Sequence, residues 1–416
     1  MSTQNGPRIP EPAVRPAGAA PAAPLPTSAD VLIVGAGPAG LALAAGLAAR
    51  GVDAVVVDRL AERGTTSRAI VVHARTMEVL DGLGAGAELV GRGLIVPRFT
   101  IRDRDRILLA IDLGGLPTAH PYMLMVPQYV TEAVLLDRLT ALGGRVHRPC
   151  ELTGLEQDAG GVTATMASGE TIRARYVVGA DGMHSAVREH AGIGFTGSAY
   201  PLSFVLADVR MEWALGREEA AVFLAPAGPA IVAPLPGGRT RVVAAVTGPA
   251  PERLRLDDVR AILDARGPMR SRARVTEVEW SSRFRVHRRL ADRFRDGRIF
   301  LAGDAAHVHS PLGGQGMNTS IQDAADLAGR LTAALRPGAG PDGYEAARRP
   351  VAEGVVAFTD RLTRAATLDG SSQRWVRNLL LRGAGQIPAV RRAAAMNLSE
   401  LAADGVRRAG AGAPRS

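Results

Sequence analysis

The sequence predicts an α/β fold: a parallel-sheet unit, interrupted by an inserted and mostly antiparallel β-sheet, with a helical C-terminal segment behind it. Three observations carry that expectation. The apolar run Val31-Leu32-Ile33-Val34 leads straight into Gly35-Ala36-Gly37-Pro38-Ala39-Gly40 and an alanine- and leucine-rich stretch. Residues 194–276 change to short β-type segments. A buried-strand pattern of the first kind then returns at Arg298-Ile299-Phe300-Leu301-Ala302, so the unit it belongs to is discontinuous in sequence.

Taken in order, Val31 to Val34 reads as a central strand, because an unbroken apolar run bounded by glycine suits a strand covered on both faces. The helix after it ends near Arg50-Gly51, and Val55-Val56-Val57 forms a second strand that closes on Asp58. A further helix is expected from Thr76 to Leu83, strands within Ile95 to Leu113, and a helix from Tyr129 to Ala141 with Val130, Val134, Leu135 and Leu139 broadly on one side. Val162 to Thr171 has the look of a hairpin, and Arg175 to Ala180 returns to a buried strand. Inside the insert, strands are expected at Ser203–Val209, Ala221–Phe223, Ile231–Pro234 and Thr240–Val246. A glycine-rich bend precedes a helix from about Gly316 to Leu335, and residues 341–405 read as amphipathic helices broken at Gly383, Gly385 and Pro388.

Composition narrows the function. At 416 residues the chain has room for two or three lobes. It contains no lysine, so all 50 basic residues are arginine, which excludes a Schiff-base lysine and the lysine of a Walker A loop. The net charge of +9 suits an anionic cofactor or a solvated arginine surface equally. Aromatic residues make up only 4%, and no nucleic-acid reader module is recognisable. Cys150 is the single cysteine, so there is no intrachain disulfide, dithiol pair or cysteine-based zinc site; it reads as a small buried hydrophobe, and a cytoplasmic location is the default expectation. Seven prolines crowd residues 1–29, which reads as a disordered tail, and the apolar run to Ala49 holds a nucleotide-binding turn instead of a membrane span.

The first glycine cluster has a physical task at each position. Gly35 permits the tight turn from strand to helix, Gly37 admits a pyrophosphate close to the backbone, and Gly40 allows helix and strand to pack closely. The N–H groups at the helix start face the phosphates. Asp58, 23 residues after Gly35, is placed to accept ribose hydroxyls. This Rossmann-like unit suits FAD and NAD alike. Two further segments bear on the choice: Gly179-Ala180-Asp181-Gly182, with its tight turn and helix start, and Gly303-Asp304-Ala305-Ala306-His307 followed by Pro311-Leu312-Gly313-Gly314-Gln315-Gly316-Met317-Asn318. Asp304 can accept from a ribityl chain, and backbone N–H groups near Met317 and Asn318 can serve the pyrimidine edge of a flavin.

These three motifs, in this order, resemble the group A FAD-dependent aromatic monooxygenases, the family related to para-hydroxybenzoate hydroxylase, and within it the actinobacterial polyketide hydroxylases. The similarity runs from about Ala29 to Ala352. It implies a Rossmann-like FAD-binding domain at 30–93, 120–193 and 280–340, and a substrate-binding domain at 94–119 and 194–279. The C-terminal helices then occupy 341–405 and a loose tail 406–416. It further implies that Asp58 lies at the adenosine ribose, that its neighbour Arg59 is also a cofactor-binding residue, and that Arg68 meets the FAD phosphates. Ala39 falls within the glycine turn, and Gln128 lies near the ribityl chain. Asp181 and Gly182 serve both FAD and NAD(P)H, and Asp304 contacts the ribityl chain. Pro311, Gly314, Gly316, Met317 and Asn318 line the flavin ring. Many relatives continue into a thioredoxin-like domain, and none is expected here.

The activity implied is a single-component monooxygenase with non-covalent FAD, NADPH or NADH as transient reductant and O₂ as co-substrate. It hydroxylates an aromatic or polycyclic, polyketide-like substrate through a flavin C4a-hydroperoxide. Epoxidation, Baeyer–Villiger oxidation and reduction of isoprenoid double bonds use the same scaffold and stay open. The Trp-rich WxWxIP segment of halogenases is missing. No acid or base is assigned, and no metal is expected. His73, His309 and Pro311 are candidate pocket residues, the two histidines being equally readable as hydrogen-bonded structural side chains. Arg288 and Arg289 are either a solvated edge or an attraction for an NADPH phosphate. Trp213 and Phe223 either floor an aromatic pocket or pack a core. The partner is a small organic molecule, and the chain is expected as a monomer or homodimer.

Overall fold

The computed structural model describes residues 24–64, 67–246, 251–336 and 338–402. The tail readings for residues 1–23 and 406–416 therefore lie outside the described residues. Two eight-stranded sheets and one of three strands make up the β structure.

The first sheet is parallel at its centre. Strand Ser28–Val34 lies between Thr171–Gly179 and Ala54–Val57, with Ile299–Leu301 and Val146–His147 further out. Val31, Leu32 and Ile33 are inaccessible to solvent, as a strand covered on both faces requires. The cover is helical: Pro38–Ala48 packs along Gly316–Ala334 so closely that a methyl on Gly46 would lie 3.0 Å from Ala328 Cβ. The strands Leu152–Gln157 and Val162–Met166 extend the sheet as an antiparallel meander, so the hairpin expected here is the second of two turns.

The second sheet runs in the order 307–308, 274–291, 195–212, 239–246, 228–234, 219–225, 98–103 and 106–112, with a single parallel pairing between 219–225 and 98–103. Its two longest strands, Phe195–Glu212 and Arg274–Ala291, are 18 residues each. Residues 280–291 therefore belong to the antiparallel sheet, and the boundary expected at 280 moves to about 292: Phe284 pairs with Phe204 in the same ladder that begins at Arg274. Likewise strand β-structure begins at Ser28, inside the expected tail. Leu94–Val96 joins Val71–Val72 and Met123–Met125 in the small sheet instead of the insert.

The insert is also not all β. A helix, Leu256–Arg266, buries Val259, Ile262 and Leu263 against one face of the sheet. Trp213 and Phe223 stack at 5.6 Å in that same outer cluster; Phe223 is fully buried core, whereas the half-buried Trp213 also lines a cavity with Met211, Val232 and Thr240. The opposite, inner face carries Phe204, Leu206 and Val243. Strand periodicity makes the division: successive side chains alternate sides, so Val205 and Ala207 go outward while Leu206 and Asp208 go inward.

Candidate functional site

The glycine turn after the first strand is a backbone-lined cradle. Gly35 has φ +103°, and a methyl there would sit 2.4 Å from Ala180 O and 2.7 Å from Asp181 Cα. A methyl on Gly40 would fall 1.9 Å from Gly35 O, whereas Gly37 has open space. The Gly35 turn and the Asp181-Gly182 turn are thus pressed together, 146 positions apart in sequence. Gly303 joins them, since its Cβ position lies 3.2 Å from that of Ala39.

Asp58 ends its strand beside this cradle. Its Oδ2 accepts from the Ala36 N–H at 2.7 Å and its Oδ1 from the Leu60 N–H at 2.9 Å, while Arg148 approaches Oδ1 at 3.3 Å. Arg59 follows it, exposed. The Asp181 Oδ2 accepts from the Val187 N–H, and its Oδ1 is buried without a partner among the described residues. Burial raises the Asp181 carboxyl against the opposing hydrogen bond of Ser185.

Asp304 is exposed, in the turn that follows strand Ile299–Leu301. Desolvation by the surrounding protein raises its carboxyl, opposed by the charges of His307 and Arg68. Gln128 is tied into the Arg68 segment: its N–H donates to Ser67 Oγ at 2.9 Å and its Oε1 accepts from the Ala69 N–H at 3.4 Å. Behind Asp304 stands a solvent-free triad. Asp323 meets His307 Nε2 and Arg348 Nε, both at 2.6 Å. Burial alone would raise Asp323, but Arg348 and His307 hold it below the usual carboxylate range. The Gly303 N–H also points at Asp323, at 3.4 Å.

The second glycine loop is held by side chains. The Asn318 Oδ1 accepts from the His73 N–H at 2.8 Å, and its Nδ2 donates to Val71 O and Gly314 O at 3.0 and 2.8 Å. His73 Nε2–H donates to Gly313 O at 2.9 Å. Helix Gly316–Ala334 starts here, so the N–H groups of Gly316, Met317 and Asn318 have no intrahelical acceptor. Pro311 is half-buried at the loop's entrance.

The two candidate histidines separate. His73 is buried behind the loop, committed to Gly313, and burial lowers it to about 4. His309 donates from Nδ1 to Ser310 O at 3.0 Å, keeps an unpartnered Nε2 beside Gly316, and is also lowered by burial to about 4. Burial thus keeps both neutral near pH 7 and makes them weak proton acceptors, well below the basicity that suits a general base at that pH. His307 and His309 stack at 6.4 Å, and the described residues contain no group of side chains suited to a metal. Cys150 is half-buried, its thiol pushed upward by burial.

This geometry sets an anion-receptive glycine turn, the Asp181 and Asp304 carboxylates and a helix start with free N–H groups on the parallel-sheet unit, and comparisons with known proteins identify the family. The family described as FAD binding domain matches residues 28–359. The chain is 39% identical over 359 residues to 6-methylpretetramide 4-monooxygenase of Streptomyces rimosus, covering 83% of this chain and 64% of that one. It belongs to the class A FAD-dependent aromatic monooxygenases. The rifampicin monooxygenase of Streptomyces venezuelae is 38% identical to this flavoprotein over 341 residues, covering 79% of this chain and 70% of that one. Among solved structures, p-nitrophenol 4-monooxygenase from Pseudomonas putida superposes with a TM-score of 0.81 at 27% identity, covering 91% of this chain and 99% of that chain. Against its first-named relative the flavoprotein spans less than two thirds of the length.

Four residues that fasten these segments together, Arg188, Arg148, Arg241 and Asp208, escaped sequence reasoning. Arg188 donates to Ala305 O at 3.1 Å and Met183 O at 2.9 Å, stitching the Asp181 turn to the Asp304 turn, and lies 4.0 Å over the Phe195 ring. Arg148 braces Asp58. Arg241, 1% exposed, is bidentate to Asp208 at 2.6 and 2.7 Å and donates to Ser67 O and Arg68 O, fastening the inner face of the antiparallel sheet to the Arg68 segment. A signal existed for this pair: the period of two puts Asp208 on the side of Leu206, a charge where the pattern calls for an apolar residue. Arg288 is engaged with Asp360 at 2.8 Å, and the Arg289 guanidinium lies 5.9 Å over the Phe195 ring.

Proposed function

We propose that the cleft holds one FAD non-covalently and that the chain is a single-component, NAD(P)H-consuming monooxygenase acting on an aromatic or polycyclic substrate. The observation that carries this reading is the convergence of three turns remote in sequence, at Gly35, Asp181 and Asp304, tied to one another by Arg188 and close backbone packing. In this reading the Gly35, Gly37, Ala39 and Gly40 turn presents N–H groups to the diphosphate. Arg68 adds charge there, Asp58 and Arg59 flank the adenosine ribose, and Gln128, Asp304 and the Asp181-Gly182 turn approach the sugar-alcohol chain. Pro311, Gly314, Gly316, Met317 and Asn318 face the ring.

When bound, FAD supplies hydride acceptance and oxygen activation. The protein's own part is to shape and dry the site. Phe204, Leu206 and Val243 pack a dry apolar layer on the inner sheet face and Leu312 of the glycine loop is buried in a second apolar cluster, which in this reading helps to exclude water from the reacting ring. The free N–H groups at the start of helix Gly316–Ala334, with the positive end of its dipole, favour negative charge on the ring edge. The division of labour follows: the parallel-sheet unit binds the cofactor and the antiparallel sheet covers the substrate. The apolar inner face suits multi-ring molecules, a reading supported by the names of the anhydrotetracycline and rifampicin monooxygenases among the relatives.

The test is NAD(P)H oxidation stimulated by aromatic and polycyclic candidates under ¹⁸O₂, with product mass measured. A product that gains one labelled oxygen atom supports the reading. Substrate reduction that proceeds equally without O₂ overturns it in favour of a reductase.

A further inference from the structure

Six of the ten large apolar side chains exposed among the described residues fall between positions 375 and 390. Such clustering marks a surface with a use, whereas scattered exposed residues need no explanation. The helix Ser371–Ala384 sets Trp375, Val376, Leu379 and Leu380 within an arc of about 140° at 100° per residue. Trp375 and Leu380 are 66% and 67% exposed. The opposite side of this helix is committed to the protein. Arg377 is buried and donates to Ala365 O, Asn378 Nδ2 donates to Asp103 Oδ2 at 2.9 Å, and Leu381 packs in the cluster that contains Leu312. The helix is therefore docked by a largely polar edge and turns its apolar face outward, the reverse of an ordinary surface helix.

The charge around that face is one-sided. Residues 370–399 contain five arginines and no acidic residue. Arg382, Arg391 and Arg392 are exposed and enter no ion pair among the described residues.

We propose that the outward face of the helices Ser371–Ala384 and Pro388–Leu398 docks the protein on an anionic lipid surface. Lying in the plane of the interface, the apolar residues enter the boundary between headgroups and acyl chains while the free arginines meet lipid phosphates. The helices are 14 and 11 residues long, too short to span a bilayer, so the attachment is peripheral. A second copy of the chain fits the face less well: a two-fold contact would set the same arginines against each other with no carboxylate in the patch.

The experiment is co-sedimentation of the full chain with vesicles of phosphatidylcholine and phosphatidylglycerol, against vesicles of phosphatidylcholine alone. The expected result is binding to the anionic vesicles that fades with added salt. The variant W375S/L379S/L380S should lose roughly tenfold or more in partitioning. R382Q/R391Q/R392Q should lose about fivefold per arginine at low salt. These side chains are exposed, and an unchanged thermal melt confirms that both variants fold. Three results would overturn the proposal: no sedimentation, equal binding to neutral vesicles, or a concentration-dependent dimer that the apolar triple variant abolishes. None of these readouts depends on flavin or turnover.

Discussion

The two glycine turns that face the cleft are built on opposite principles. Around Gly35 the neighbours are backbone atoms, Ala180 O and Asp181 Cα, which have nowhere to go. Around Gly313 and Gly314 they are side chains: Val71, Phe358 and Leu362, with Asn318 and His73 supplying hydrogen bonds. Both loops use positive φ, +103° at Gly35 and +99° and +65° at Gly313 and Gly314. The first is a fixed mould. The second is a clamped strap whose position rests on removable side chains, the more adaptable arrangement where a reacting ring must be approached.

Substitutions can break that contrast. Gly35→Ala should have the largest effect, because it combines an unfavourable φ with a backbone clash; FAD affinity is expected to fall by at least about a hundredfold, read by flavin absorbance after gel filtration. A variant that stays fully yellow would show the mould to be soft. Arg241→Met comes next. It leaves Asp208 buried and unpaired and should cost about 3–5 kcal/mol in urea unfolding, with much of the loss recovered in Asp208→Leu/Arg241→Met. Asn318→Ala removes the three hydrogen bonds that this side chain makes to His73, Val71 and the strap at Gly314, and should cost about 1–3 kcal/mol. Its signature is local: amide exchange should rise at residues 311–316 and stay unchanged at residues 35–40, and equal acceleration at both would erase the distinction.

A further effect is a pH dependence. His73 and His309 take up protons in the native state only near 4, against an ordinary value of 6.5. Between those values the unfolded chain binds more protons than the folded one, so stability falls as pH drops through the window and is level with respect to these groups above it. His309→Gln removes one of the two contributions. Its melting temperature should decline less steeply than that of the wild type from about pH 6.5 to about pH 4.5.

What the sequence disclosed follows the same contrast. The Gly35 cradle was legible because local backbone geometry demands glycine at fixed spacing, and Asp58 because a strand end places it. Parallel and antiparallel regions were separable by pattern, although the long arginine-rich strand Arg274–Ala291 was split at 280: its half-exposed residues show no clean alternation. Helix Leu256–Arg266 was overlooked within a β-rich stretch, though Val259, Ile262 and Leu263 carry the helical spacing of three and four. The stitches of the site, Arg188 to Ala305 and Arg241 to the Arg68 segment, join residues 117 and 173 or more positions apart. No local signal fixes such pairings, since they depend on how the two sheets meet.

FAD titration of the purified chain, followed by fluorescence quenching and run beside Gly35→Ala and Asp304→Ala, addresses the convergence of the three turns most directly. One FAD per chain with micromolar or tighter affinity is predicted, together with a sharp loss in the first variant and a smaller but clear loss in the second. Failure of the wild-type chain to take up FAD, or uptake indifferent to both substitutions, would contradict it.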